Sequence, residues 1–256
     1  MKKKEFCEVI SQEMLIPEIY SMWIAAEKIA DEARPGQFVS LYSNDKSRLL
    51  PRPISICEID KAKGQIRLVY RIAGAGTAEF AKLMAGDSVA ILGPFGNGFP
   101  LEEANQKKVL LIGGGIGIPP MLEVAKQLSA DKQIVCGYRD EIFLENELAD
   151  NGEFYAATED GVRGTKGNVL DAISKDKLTA DIIFACGPTP MLRAIKDYAT
   201  DKGIKCYISM EERMACGIGA CLACVCKSKE KDEHANVNNK RVCKDGPIFE
   251  ATEVEL

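Results

Sequence analysis

Three cysteines separated by four and then two residues constrain this chain more than any other feature of its sequence. They are Cys216, Cys221 and Cys224, and a fourth, Cys243, follows a polar segment. Gaps of this size, with the last ligand taken from a distant segment, are the spacing of a plant-type [2Fe–2S] site. Glycines between the first two cysteines allow the tight turns that aim several thiolates at two irons. The segment therefore predicts an iron–sulfur site with Cys216, Cys221, Cys224 and Cys243 as ligands.

Two alternatives remain open at this motif. Four cysteines also suit a tetrahedral structural zinc ion, although zinc sites favour two Cys-x₂-Cys units and this chain offers one before a longer gap. Cys226 follows Cys224 by two residues and could replace Cys243 as the fourth ligand. Four further cysteines lie in or beside apolar segments and are predicted to be small core residues: Cys7, Cys57, Cys136 and Cys206.

Composition argues against several classes of function. The single histidine, His234, lies in a polar run, so imidazole acid–base chemistry and histidine ligation of zinc are not expected. The ten cysteines come with no signal-peptide pattern, which indicates metal or redox chemistry in the cytoplasm rather than a disulfide framework. No apolar run approaches the roughly 20 residues that span a bilayer. The net charge of −5 is spread without a basic patch, so nucleic acid is not an expected partner.

The order of apolar segments predicts a barrel followed by a parallel α/β domain. From Phe6 to about Val89, short alternating runs are separated by turn signals, as in antiparallel β-structure, with a short helix at 80–84. The Gly- and Pro-rich segment 93–100 marks the first boundary. Beyond it, strands at 109–112, 133–138, 153–157 and 181–186 alternate with helical patterns, which include 120–128 and 191–202. The predicted fold class is an N-terminal antiparallel β-barrel, a parallel α/β nucleotide-binding domain and a small C-terminal iron–sulfur module.

Two motifs predict a nicotinamide nucleotide site in the α/β domain. The first is a glycine-rich turn between strand and helix, where backbone amides can approach a pyrophosphate. It departs from G-x-G-x-x-G because Ile118 replaces the third glycine, so a tight turn without ligand is the alternative. The second ends a later strand and opens a helix at the carboxyl edge of the sheet. The predicted nucleotide-binding residues are Gly113, Gly114, Gly115, Gly117, Cys186, Gly187, Pro188 and Met191.

Residues after the second strand of this domain bear on the choice of nucleotide. Asp140 and Glu141 are placed to meet a ribose hydroxyl, whereas Arg139 beside them fits a 2′-phosphate. NAD is the predicted nucleotide. Gly161, Gly164 and Gly167 follow the third strand and predict another loop on the same edge.

The segments Arg52-Pro53-Ile54-Ser55, Val69-Tyr70-Arg71 and Gly76-Thr77 give the barrel a specific resemblance. Together with the two nucleotide motifs, the first two domains resemble the ferredoxin–NADP reductase superfamily. The resemblance implies FAD bound by Arg52, Pro53, Ile54, Ser55, Val69, Tyr70, Arg71, Gly76 and Thr77. In this arrangement Arg52 would clamp the pyrophosphate, the Ser55 hydroxyl would reach the flavin ring, and Gly76 and Thr77 would offer an amide and a hydroxyl to phosphate.

With the cysteine motif after the nucleotide domain, essentially the whole chain resembles the electron-transfer subunits of NAD-dependent dihydroorotate dehydrogenases. The segments 210–216 and 243–247 carry this similarity, while the polar insert before Cys243 departs from it. The resemblance implies FAD, a [2Fe–2S] cluster and NAD as cofactors. It further implies an FMN-containing catalytic partner that oxidises dihydroorotate in pyrimidine biosynthesis, with two subunits of each kind, and no catalytic residue in this chain itself.

The implied division of the chain is 1–100 for FAD, 101–205 for NAD and 206–256 for the cluster. Two other functions remain open. One is the small subunit of another flavin complex, of the ferredoxin:NADP oxidoreductase or sulfite reductase type. The other is a non-catalytic sensor that reports redox state through a zinc or iron–sulfur module.

Overall fold

The computed structural model describes residues 3–231 and 236–256, and its first region is a closed antiparallel barrel. Its strands are β1 (Glu5–Ile16), β2 (Ile19–Ala25), β3 (Phe38–Tyr42), β4 (Arg52–Asp60), β5 (Gln65–Arg71) and β6 (Ser88–Phe95). They are hydrogen-bonded in the order β1-β2-β5-β4-β3-β6, and β6 returns to β1. Two short helices, α1 (Glu27–Glu32) and α2 (Ala75–Phe80), follow β2 and β5. His234 lies outside the described residues.

Side chains alternate between the inside and the outside of this barrel. Val39, Leu41 and Tyr70 are buried within the barrel core. Their strand neighbours Phe38 and Val69 face outward and belong to the two clusters that join the barrel to the rest of the chain. The outer face of β3, β4 and β5 is therefore the face on which the other two regions pack.

One prediction for this region is wrong. The short helix covers Ala75–Phe80 rather than 80–84, because the Thr77 hydroxyl accepts the Ala73 and Gly74 amides at 2.8 and 3.2 Å and so caps an earlier start. The last strand, β6, runs into the Gly- and Pro-rich segment and ends at Phe95. A register shift opposite β3 accommodates the proline, which cannot donate to a ladder.

The second region is a seven-stranded sheet with helices on both faces. Its strands are β7 (Lys108–Gly114), β8 (Asp131–Tyr138), β9 (Glu153–Thr158), β10 (Thr165–Lys166), β11 (Ile182–Cys186), β12 (Lys205–Ser209) and β15 (Ile248–Glu250), in the order β10-β9-β8-β7-β11-β12-β15. Helices α3 (Pro119–Gln127) and α4 (Glu145–Ala149) cover one face, and α5 (Val169–Lys175) and α6 (Thr189–Lys202) cover the other. The predicted barrel, parallel sheet and C-terminal module are confirmed as the fold class.

The third region is short and is built onto the second. Strands β13 (Val225–Lys227) and β14 (Asn239–Arg241) form a hairpin, and β15 then joins the large sheet antiparallel to β12. Because β12 pairs in parallel with β11, the sheet runs past the predicted division at residue 205. The three-part division of the chain stays a prediction. Among the described helices, none is long and apolar enough to cross a lipid bilayer.

A buried ion network joins the barrel to the α/β region. Arg67 Nη1 lies 2.6 Å from Glu58 Oε2 and 3.2 Å from Glu147 Oε1, while its Nε donates to Ser21 Oγ at 2.8 Å. Lys126 on α3 contacts the second Glu58 oxygen at 2.6 Å. Since these groups come from both regions and Arg67 is 6% exposed, the network fixes how the two regions face each other.

Candidate cofactor sites

The four predicted cluster cysteines come together as two pairs. Cys216 lies in hydrogen-bonding contact with Cys221, and Cys243 with Cys224, while Cys243 is also within electrostatic reach of Cys216. Across residues 3–231 and 236–256, no three Cys, His, Asp or Glu side chains converge as they would around one metal ion. Two neighbouring pairs of thiols correspond to the two thiolates that each iron of a [2Fe–2S] cluster takes from the protein.

Backbone amides surround the sulfurs of this site. The amide nitrogens of Ile218 and Ala220 lie 3.4 and 3.3 Å from Cys216 Sγ, that of Gly219 lies 3.1 Å from Cys243 Sγ, and that of Cys243 lies 3.4 Å from Cys224 Sγ. Partial burial disfavours ionisation of Cys216, but the amide donors and the Cys221 thiol outweigh it and lower its pKa to about 6. The thiolate is the form that binds metal, so the loop is prepared for ligation.

Cys226 is not part of this group. It lies on β13 opposite Lys240, and Glu212 and Lys240 are the charged groups that act on its thiol. Burial raises its pKa, as expected for a structural thiol. The structure thus brings Cys243, and not Cys226, against Cys224 and within reach of Cys216. The four cysteines predicted to be core residues, Cys7, Cys57, Cys136 and Cys206, are all buried.

The start of α2 forms a cradle beside Arg52. A Cβ atom placed on Gly76 would lie 2.7 Å from Arg52 Nε, so the guanidinium occupies the space that a side chain would need. The Thr77 hydroxyl donates to the Gly74 carbonyl at 3.1 Å, which commits its proton to capping the helix. The N-terminus of α2, which has no side chain at Gly76, and the adjacent Arg52 guanidinium together fit the pyrophosphate of FAD.

The other predicted flavin residues divide between the two faces of the barrel. Pro53 pairs with Ser40 and Ser55 with Phe38, so both lie on the outer face of β4, and Val69 lies on the outer face of β5. Arg71 is exposed at the end of β5. By contrast, Ile54 packs on the barrel core and Tyr70 is 1% exposed within it, where its hydroxyl donates to Gln12 Oε1 at 2.9 Å.

The glycine-rich turn and the Cys-Gly-Pro motif pack directly against each other. A Cβ on Gly117 would lie 2.4 Å from the Cys186 carbonyl oxygen, and one on Gly114 would lie 2.4 Å from Met191 Sδ. A Cβ on Gly187 would lie 2.3 Å from Met191 Cε. These residues, with Gly113, Gly115 and Pro188, meet where β7 and β11 end and α3 and α6 begin. The predicted nucleotide residues therefore form one contiguous edge of the sheet.

Residues of β3 next to the cysteine loop were not predicted as part of any site. Tyr42 is close enough to Cys216 for that thiol to raise its pKa, in addition to the larger effect of burial. A Cβ on Gly217 would lie 3.1 Å from Ser40 Oγ. The alternating pattern of β3 signals an outward face there, but nothing local in the sequence shows what covers that face.

Solved structures show the same architecture. The structure of an NADH-dependent reduced ferredoxin-NADP oxidoreductase superposes with a TM-score of 0.88 and 28% identity, and the match covers 100% of this chain and 91% of that one. The superposition therefore extends over all three regions of this chain.

The fold and these sites define a flavin- and nicotinamide-dependent oxidoreductase subunit that carries an iron–sulfur module. A family model described as the iron–sulfur cluster binding domain of dihydroorotate dehydrogenase B matches residues 211–255. The chain belongs to the family of electron transfer subunits of dihydroorotate dehydrogenase B (NAD(+)). It is 41% identical to the subunit of Geobacillus sp. (strain WCH70) over 100% of both chains, and 41% identical to that of Fusobacterium nucleatum over 99% of both.

Proposed function

We propose that this chain passes electrons from the FMN of a dihydroorotate-oxidising catalytic subunit, through a [2Fe–2S] cluster and FAD, to NAD⁺. One observation carries this order: the cysteine loop packs on Ser40 of β3, and Ser40 is the direct partner of Pro53 on the flavin strand β4. The two proposed cofactor sites thus share one outer face of the barrel. Electrons can pass between them without crossing the barrel core.

Each part of the chain has a distinct task in this function. When bound, FAD supplies the exchange between one-electron and two-electron chemistry. Arg52 and the helix start at Gly76 hold its pyrophosphate, while Pro53, Ser55 and Val69 form the outer surface against which the ring can rest. The adjoining glycine-rich and Cys-Gly-Pro turns hold the nicotinamide nucleotide. Cys216, Cys221, Cys224 and Cys243 hold the cluster.

The location of the cluster also indicates where the catalytic partner docks. Ile218 and Leu222, on the cysteine loop, are 56% and 62% exposed. Apolar side chains exposed beside a functional site are a common mark of an interaction surface. We therefore place the partner over this loop. A cytoplasmic location fits the ten cysteines, none of which forms a disulfide.

The first test compares the wild-type chain with Cys221→Ser after purification without oxygen. The wild type is expected to show flavin absorption over iron–sulfur absorption, about two irons per chain, and bleaching by NADH. Cys221→Ser is expected to lose the cluster and electron exchange with the partner but to keep reduction of FAD by NADH. Equal loss of both activities in a folded, FAD-loaded variant would contradict the division of tasks.

A second test separates this function from its rivals. The chain is mixed with a dihydroorotate-oxidising FMN subunit or with ferredoxin, and NAD⁺ reduction is followed. Reduction with dihydroorotate is the expected result. Reduction that requires ferredoxin would favour the related NADH–ferredoxin complex, and a chain free of flavin after reconstitution would indicate a sensor.

A further inference from the structure

Ser40 is a buried hydroxyl without a hydrogen-bond partner in the described part of the chain. It lies on the outer face of β3 and is 1% exposed. Its backbone is paired in the β3–β4 ladder, and its side chain makes no hydrogen bond within the described residues 3–231 and 236–256. The hydroxyl proton is therefore free to be donated to an acceptor that lies between β3 and the cysteine loop.

The cysteine loop lies directly against this hydroxyl. A Cβ atom placed on Gly217 would lie 3.1 Å from Ser40 Oγ. Gly217 also has a φ of +68°, so only glycine fits there without strain. The preceding residue, Cys216, is a proposed cluster ligand. Cys216 is also the thiol within reach of Tyr42, which lies two residues along the same face of β3. The hydroxyl therefore borders the space enclosed between β3 and the cysteine loop.

The proposed flavin strand β4 presents no accepting side chain opposite the Ser40 hydroxyl. Pro53, its cross-strand partner, has no polar side chain that could accept from the hydroxyl. Around the cysteines, backbone amides already donate to three of the four sulfurs, and a hydroxyl from β3 would add a donor from the side that faces β4. Of the two neighbours of the hydroxyl, Pro53 and the cluster site, the cluster sulfur is the better acceptor, because it gains negative charge on reduction.

We propose that the Ser40 hydroxyl donates a hydrogen bond to sulfur of the bound cluster and raises the cluster's reduction potential relative to that of FAD. The inference rests on the proposed cluster site. Reduction places one more negative charge on the cluster, so a donor stabilises the reduced form more than the oxidised form. The proton stays on the hydroxyl, and the step remains a one-electron couple.

The test is a redox titration of Ser40→Ala in the full-length, FAD-loaded chain. Electron paramagnetic resonance reports the cluster, and absorption reports FAD in the same sample. The expected result is a lower cluster potential: the oxidised-to-reduced ratio at a fixed applied potential rises at least about threefold, which is roughly 28 mV when tenfold is 59 mV. Ser40→Thr keeps a hydroxyl and is expected to retain the wild-type potential, and the FAD potential is expected to stay unchanged in both.

Three outcomes would overturn the proposal. Full iron content with an unchanged cluster potential in Ser40→Ala would show that the hydroxyl does not act on the cluster. A shift in the FAD potential alone would assign it to the flavin. If Ser40→Ala failed to retain its cluster, Ser40→Thr and Ser40→Val have nearly equal volume and would decide: equal potentials would refute the role of the hydroxyl. A wild-type chain without iron would instead refute the cluster site.

Discussion

The guanidinium of Arg52 lies over Gly76, close enough that a Cβ on Gly76 would stand 2.7 Å from Arg52 Nε and 3.1 Å from Nη2. Gly76→Ala is therefore expected to displace Arg52 and weaken FAD binding about tenfold, or roughly 1.4 kcal/mol. Alanine favours a helix by about 1 kcal/mol over glycine, so the apoprotein is not expected to lose stability. Flavin fluorescence on titration of apoprotein measures the affinity, with the thermal midpoint of the apoprotein as the control. Unchanged affinity would exclude this contact from the FAD site.

Cys243 and Cys226 form a matched pair for testing the fourth cluster ligand, because both are small buried thiols, 2% and 6% exposed. Cys243→Ser is expected to lose most of the cluster, since only Cys243 contacts Cys224 and the cysteine loop. Cys226→Ser is expected to keep about two irons per chain. Iron and acid-labile sulfide are measured on protein purified without oxygen. The opposite pattern would make Cys226 the ligand.

Arg67 holds the barrel to the α/β region through buried contacts, so its removal should be costly. Arg67→Met leaves the 9%-exposed Glu58 with Lys126 alone, and a loss of about 3 kcal/mol in unfolding free energy is expected. Lys28→Met removes an ion pair to Glu5 whose lysine is 78% exposed, and a much smaller loss is expected there because solvent screens the pair. Urea unfolding of both FAD-loaded variants measures the difference. Similar losses would show that the buried network does not secure the interface.

Glu79 predicts a dependence of stability on pH. Burial alone would raise its pKa, but Ser43, the Asn44 amide and Arg48 outweigh that effect and hold the pKa below its usual range. A lowered pKa means that the ionised carboxylate stabilises the fold above about pH 4.3 and that this contribution disappears as pH falls through the lowered value. Glu79→Gln should therefore be less stable than wild type at pH 7 and approach it in acid. A stability difference that did not change between pH 7 and 3 would contradict this assignment.

Much of the fold follows from local patterns. The strand that becomes β7 and the helix that becomes α6 lie within a few residues of their predicted positions, because hydrophobic periodicity, glycine and proline act over short distances. The spacing of Cys216, Cys221 and Cys224 likewise reflects local loop geometry. Local spacing could not decide between Cys243 and Cys226 as the fourth ligand, because only tertiary packing brings β14 and the turn after it back to the cysteine loop.

Two other features were not predicted, the first because strand alternation was not applied and the second because it depends on contacts between distant segments. Val69 and Tyr70 were both assigned to the flavin, although adjacent residues of a strand face opposite ways, and the structure sends Tyr70 into the barrel. Strand alternation could have separated them. No local pattern could have shown that Ser40 lies beneath Gly217, because 177 positions of chain separate them (217 − 40) and the contact depends on how three regions pack.

The antiparallel pairing of β15 with β12 has a consequence for the chain as a whole. Tyr207 and Ser209 face Glu250 and Ile248 across this ladder, so the end of the cysteine module covers the border of the nucleotide sheet. A chain cut after Ser209 would expose a free strand edge, and free edges recruit strands from other molecules. The same 47 residues (210–256) that carry the proposed cluster cysteines thus also cover a strand edge, and a chain trimmed after Ser209 is expected to self-associate through it.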